Sequence, residues 1–397
     1  MVPTSETTPR DPLVPRLRGL GTSIFAEMSA LALETGAINL GQGFPDVDGP
    51  DVIKQAVVDA IWAGRNQYPP GIGVPELRRA IADHQRRFYG IELDADTEVL
   101  VTAGATEAIA AAMLAMVDIG DEVISLEPYY DSYAASIAMA GGVRVPVTLH
   151  APEFRLDVDR LRSAITARTK LILLNTPHNP TGTVLTRFEL QAVADAAIEH
   201  DLIVVTDEVY EHLVYDGDHV PIATLPGMGE RTLTISSAGK TFAFTGWKVG
   251  WATGPAALVS AVRTTKQFLT YVNAAPMQPA IAIGLALGDD FYATLAGDLR
   301  RKRDLLCAGL ADVGFTVFKP AGTYFITTDV RPLGYDDGVT FCRELPKRAG
   351  VVAIPHSVFY DNVEAGRPLV RFAFCKRDEV LAEAVERLRS LTPGGSL

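Results

Sequence analysis

From about residue 50 the chain alternates two hydrophobic rhythms. DVIKQAVVDAIWAG and VPELRRAIADHQRRFYG space their apolar residues three and four apart, as amphipathic helices do. EVLVTAG, DEVISLEP, VRVPVTL, KLILLNTP, LIVVTDE and RTLTISS are instead short and nearly all apolar. Runs of that kind, separated by helical stretches such as ATEAIAAAMLAMV and RFELQAVADAAIEH, predict a mostly parallel sheet covered on both faces. Over the last ~110 residues the pattern changes. A long charged helix, DDFYATLAGDLRRKRDLLCAGLADV, leads to strands FTVFKP, TYFITTDV and LVRFAFC and a final helix, DEVLAEAVERLRSL. This gives an α/β organisation in three parts. An N-terminal segment, 1–48, with a helix at SIFAEMSALALETG, precedes a large domain at 49–285 and a small α+β domain at 286–397. No internal repeat is present.

Composition narrows the partners. Of 397 residues, 48% are hydrophobic and 21% charged, with a formal charge of −12, which opposes binding to nucleic acid. Three cysteines without CxxC spacing fit a reducing cytoplasm. MVPTSETTPRDP lacks the apolar core of a signal peptide, and the longest apolar run, AIAAAMLAMV, is too short to span a membrane.

Several nucleotide and metal motifs fail on inspection. GKT at 239–241 ends like a Walker A loop, but the position five residues before Gly239 is Thr234, not Gly. GQG at 41–43 and GIG at 71–73 lack a third glycine, and the seven histidines show no paired ligand spacing, so no metal is expected.

Polar residues at the C-terminal ends of predicted strands remain, where α/β sheets bind ligands. Gly104, Ala105 and Thr106 open a helix after EVLVTA, with Thr106 as the expected N-cap; this is either an ordinary capped helix or a phosphate site. NTPHNPTG ends one strand and holds Asn179 between prolines, as a plain turn or as a fixed amide donor. Asp207 and Tyr210 follow LIVVT, where an acid leaving an apolar strand needs a partner. Arg371 in LVRFAFC is either a solvent-facing strand residue or a buried fork for a carboxylate. Tyr129, Tyr130 and Tyr68 taken singly are packing or turn aromatics. Together, a lysine, a phosphate cradle, an acid, a phenol, an amide and an arginine match the needs of pyridoxal phosphate.

At this point the sequence resembles the fold-type I pyridoxal-phosphate aminotransferases of class I/II. The motifs GQGFPD, NQYPPG, GATEAI, EPYYDSY, NTPHNPTG, DEVYEHLVYD, SSAGKTFAFTGWKVGW, GTYF, IPHSVFY and VRFAFCK occur in order along nearly the whole chain. Within the family, SAGKTF…TGWKVGW and GQGFPD look like the branch of kynurenine, glutamine and methionine transaminases, and like the actinobacterial enzymes assigned to N-succinyldiaminopimelate transamination. The resemblance implies a large domain with a seven-stranded-type, mostly parallel sheet, an N-terminal segment 1–48 that joins the small domain, and roles for the matching positions. Lys240 would form the imine with the cofactor and then shuttle the substrate proton. Asp207 would hold the ring nitrogen protonated, Asn179 and Tyr210 would bind the phenolic oxygen, and Tyr130 would stack on the ring. Gly104, Ala105, Thr106, Ser237 and Lys248 would hold the phosphate, with Tyr68 reaching in from the second subunit of a homodimer. Arg371 and Asn179 would clamp the substrate carboxylate beside Gly43 and Phe25.

Substrate choice is less determined. Segment 271–276 matches positions that line the side-chain pocket in relatives, and Asn273 and Ala274 make it roomier and more polar than in the animal kynurenine enzymes. That favours a long polar donor such as succinyl-diaminopimelate, with 2-oxoglutarate as acceptor in lysine biosynthesis. A broad glutamine, methionine or kynurenine transaminase and a C–S β-lyase are the alternatives. A non-enzymatic regulator would need a DNA-binding domain, for which the leader is too short.

Overall fold

The computed structural model describes residues 12–18, 20 and 24–391; most of the Pro-rich leader lies outside them. Four helices precede or open the large sheet: α1 (Ile24–Thr35), α2 (Asp51–Trp62), α3 (Pro75–Tyr89) and α4 (Gly104–Met116). After the short β1 (Ile38–Asn39), seven strands build that sheet. They are β2 (Val99–Thr102), β3 (Glu122–Glu127), β4 (Val143–Thr148), β5 (Thr169–Asn175), β6 (Ile203–Asp207), β7 (Thr232–Ser237) and β8 (Gly250–Thr253), in the order β2-β8-β7-β6-β5-β3-β4. Strands β4, β3, β5, β6 and β7 run parallel; β8 is antiparallel to both its neighbours.

The apolar character of these strands follows from cover on both sides. Along β5, Ile172 and Leu174 pack with Leu190 and Val193 of the helix Arg187–Glu199, whereas Leu171 and Leu173 pack with Ile109 and Met113 of α4. Alternation therefore sends successive side chains into two separate cores, and neither face tolerates a polar row. The helix Arg187–Glu199 starts at a capping box, Thr186 accepting from the Glu189 amide and Glu189 from the Thr186 amide.

The C-terminal third holds β9 (Thr316–Phe318), β10 (Phe325–Asp329), β11 (Val351–Val352), β12 (Ile354–Pro355) and β13 (Leu369–Ala373). Four of them form an antiparallel sheet, β12-β13-β10-β9, while β11 pairs in parallel with β1 and so ties in the N-terminal segment. The helices Asp289–Val313 and Asp378–Leu388 cover this sheet, and Tyr210 and Leu213 from the turn after β6 join its core. Among the described residues no single helix is long and apolar enough to cross a membrane.

Candidate active site

The C-terminal ends of the parallel strands face a cavity of about 450 Å³, lined by every predicted site residue except Tyr68. Register explains the first cluster. Asn175 and Asp207 are cross-strand partners at the ends of β5 and β6. Asn175 Nδ2 donates to the Asp207 carbonyl at 2.9 Å, and its Oδ1 accepts from the Asn179 amide at 2.7 Å. The NTPHNPTG turn is thereby fixed to the strand that carries the acid.

Asp207 is buried, and burial pushes its carboxyl up to about 6. Tyr133 Oη donates to Oδ2 at 2.7 Å and the Val209 amide to Oδ1 at 3.2 Å. No cation forms a direct ion pair with it among the described residues; the Lys240 ammonium across the same cavity acts on it only through space.

Lys240 lies in the short helix Ala238–Thr241 after β7. Burial brings its amine down to about 8, against the opposing pull of Cys375 and Asp207. Its Nζ donates to Tyr324 Oη at 3.0 Å, and that hydroxyl donates onward to the Gly43 carbonyl at 2.6 Å. The Nζ lies 5.5 Å from the Tyr210 ring centroid. Tyr210 and Tyr324 meet edge to face at 5.3 Å.

The start of α4 and Lys248 form a third cluster. Gly104 has φ +74, a region that favours glycine, and a Cβ there would lie 3.0 Å from Lys248 Nζ. A Cβ on Gly250 would lie 2.7 Å from the Ala105 nitrogen, so two glycines let β8 and the helix start approach. The expected N-cap is corrected: the cap position is Ala103, and Thr106 is the third helical residue. The left-handed Gly104 turns the chain two residues earlier than the cap pattern suggested. Thr106 still lines the cavity, with Ser237 and Lys248.

Arg371 is supplied by β13, in the small sheet, and is 1% exposed. The solvent-facing alternative is thus excluded. Its Nη1 donates to Asn179 Oδ1 at 2.9 Å and its Nη2 to the Gly41 carbonyl at 3.0 Å. Its Nε is buried without a partner. Because Asn179 accepts through its oxygen, its NH₂ is left as a donor. The guanidinium lies 4.0 Å from the Phe325 centroid and 5.3 Å from Phe25, and burial brings it down to about 10. At Gly43 a Cβ would meet Phe325 at 2.5 Å, so only glycine fits beside the arginine.

Tyr68, expected to act across a subunit boundary, and segment 271–276 lie outside this cavity. Tyr68 is 81% exposed and packs on Tyr271 of its own chain. Asn273 donates its amide to the carbonyls of Thr102 and Lys248 at 3.1 and 3.0 Å, and segment 271–276 is outside the lining of this cavity. Sequence reasoning missed Tyr133 and Tyr324; both stand in quoted motifs, EPYYDSY and GTYF, but nothing local marked them as partners of Asp207 and Lys240.

The chain belongs to a pyridoxal-phosphate-dependent family: the family described as Aminotransferase class I and II matches residues 35–388. It is an aminotransferase of the fold-type I α/β architecture. It is 55% identical over 390 residues to the probable N-succinyldiaminopimelate aminotransferase DapC of Mycobacterium tuberculosis, covering 95% of this chain and 98% of that one. The solved structure of the N-succinyldiaminopimelate aminotransferase from the same organism superposes with a TM-score of 0.94, covering 96% of this chain and 100% of the other. The methionine aminotransferase of Escherichia coli is 42% identical over 384 residues, covering 96% of this chain and 99% of its own.

Proposed function

We propose that this enzyme moves the free α-amino group of N-succinyl-LL-2,6-diaminopimelate to a 2-oxo acid, 2-oxoglutarate, in diaminopimelate and lysine biosynthesis. The substrate rests on one observation, the 55% identity along nearly the full length of the mycobacterial relative. The chemistry rests on the cavity.

The donor set fits pyridoxal phosphate. A buried acid with no direct ion pair, a lysine with a partly neutral amine and a helix start beside a second lysine surround one space. When bound, the cofactor supplies an aldehyde and a ring that takes up negative charge from the substrate α-carbon. Lys240 would supply the amine that holds the cofactor and the base that moves the proton at the substrate α-carbon. Asp207 keeps a proton on the ring nitrogen, and Tyr133 keeps Asp207 oriented. Asn179 and Tyr210 would hydrogen-bond the phenolic oxygen, and Tyr130 would cover a ring face. The first N–H groups of α4 at Gly104, Ala105 and Thr106 hold the phosphate with Ser237 and Lys248. Arg371 binds the substrate carboxylate through its free Nε and its Nη groups, with Phe25 and Gly43 shaping the approach.

The exposed Tyr68 suits a role across a homodimer, in which Tyr68 of the partner subunit completes the phosphate site. The division into 1–48, 49–285 and 286–397, with Arg371 and Lys240 on different domains, belongs to the same reading. A cytoplasmic location accords with three free cysteines.

A panel of amino donors with 2-oxoglutarate tests the substrate. Succinyl-diaminopimelate should exceed methionine, glutamine and kynurenine in kcat/KM by at least roughly tenfold, read as glutamate formed. A higher value for any of the other three overturns the substrate assignment. Pyruvate released from cystathionine without an oxo acid points instead to β-lyase chemistry.

A further inference from the structure

Outside the cavity, the turn after β6 carries a second polar cluster. Helix α3 brings His84 against Glu211 and His212, and one ligand atom from each lies within 4.8 Å of the others. His84 Nε2 and His212 Nε2 are 2.7 Å apart. Two ring nitrogens at that distance share one proton, one ring donating and the other accepting. His84 Nδ1, also buried, has no partner. Glu211, 5% exposed, accepts from Ser236 Oγ at 2.6 Å. The neighbouring acid Glu208 pairs with His219 at 2.8 Å, whereas Glu211 has no ion pair among the described residues. Rings wall the group: His212 and Tyr292 have centroids 4.3 Å apart, and His84 and Phe88 4.8 Å.

We propose that His84, Glu211 and His212 bind one divalent ion of the zinc class, clamping α3 to the turn that carries Asp207 and Tyr210. Two imidazole nitrogens with one carboxylate oxygen suit zinc and its neighbours, not magnesium or calcium, which take oxygen ligands. Ligands ~2.0–2.2 Å from a tetrahedral ion lie ~3.3–3.6 Å apart, so the two rings need to separate by less than ~1 Å and the Glu211 oxygen, up to 4.8 Å away, to move in by about 1 Å. The histidines are 128 residues apart in sequence, which is why no ligand spacing marked them. None of the three residues lines the cofactor cavity, so the site stands apart from the substrate reading.

The test is a calorimetric titration of chelator-treated, dialysed holoenzyme with Zn²⁺, with metal content measured in parallel. The wild type should take up one Zn²⁺ per chain. His84→Gln and His212→Gln should each weaken binding by ~100-fold or more, beyond the change that a residue outside the ligand set causes, while the exposed His150→Gln leaves it unchanged. No saturable uptake by the wild type, or equal affinity in all three variants, overturns the site. If a variant fails to fold by circular dichroism, the Co²⁺ spectrum of the unsubstituted protein decides. A four-coordinate spectrum displaced by Zn²⁺ supports the site, and a six-coordinate or absent one overturns it.

Discussion

Asp207 and Arg371 are both buried charges facing one cavity, yet they come from differently built sheets. Asp207 stands at the end of a parallel strand, where an apolar run gives way to a polar residue. Arg371 sits in the middle of an antiparallel strand whose five residues are all buried. Burial drives each toward its neutral form, the acid up to about 6 and the guanidinium down to about 10. Each site is therefore relieved by a ligand of opposite charge, a cationic ring N–H at Asp207 and a carboxylate at Arg371. On the proposed reading, the large sheet would hold and activate the cofactor and the small sheet would grip the substrate.

Substitutions can break that division. The largest effect is expected at the acid. Asp207→Asn keeps the shape but cannot hold the ring proton, so kcat should fall ~10³-fold, about 4 kcal/mol, with little change in donor KM. Arg371→Lys keeps the charge and loses the fork. Its kcat/KM should fall ~100-fold, about 2–3 kcal/mol, mainly through KM. Steady-state kinetics on both variants checks the contrast. Equal KM effects would show that the two regions do not divide the work as described.

The smallest effect is one of pH. Burial depresses the Lys240 amine to about 8 in the cofactor-free protein, so its reactive neutral form is scarce below that value and dominant above it. The rate of pyridoxal-phosphate uptake should rise ~10-fold per unit at lower pH and level off above ~8. Stopped-flow loading of the cofactor-free enzyme measures this. A rise that continues toward pH 10 would mean an ordinary, solvated lysine.

Much of this was legible in the sequence because parallel strands buried on both faces leave apolar runs ending in polar residues. β5, β6 and β7 all read that way, and Asn175, Asp207 and Ser237 close them. β8 was not legible: GWAT is short, begins with a glycine that packs on α4, and reverses direction. Arg371 stayed undecided because alternation reports a solvent face only where one exists, and β13 has none. Tyr133, Tyr324 and the pair His84 and His212 were hidden for another reason. Their partners are distant in sequence, the hydroxyl of Tyr324 being 84 residues from Lys240. The N-cap misassignment at Thr106 arose because the glycine before it turns the chain first.

The account turns on which of two lysines, eight positions apart, is the covalent one. Borohydride reduction of the holoenzyme followed by peptide mass mapping answers that directly. The cofactor-derived mass should be fixed on Lys240, with Lys248 unmodified. Fixation on Lys248, or on neither, would contradict the assignment of the cavity.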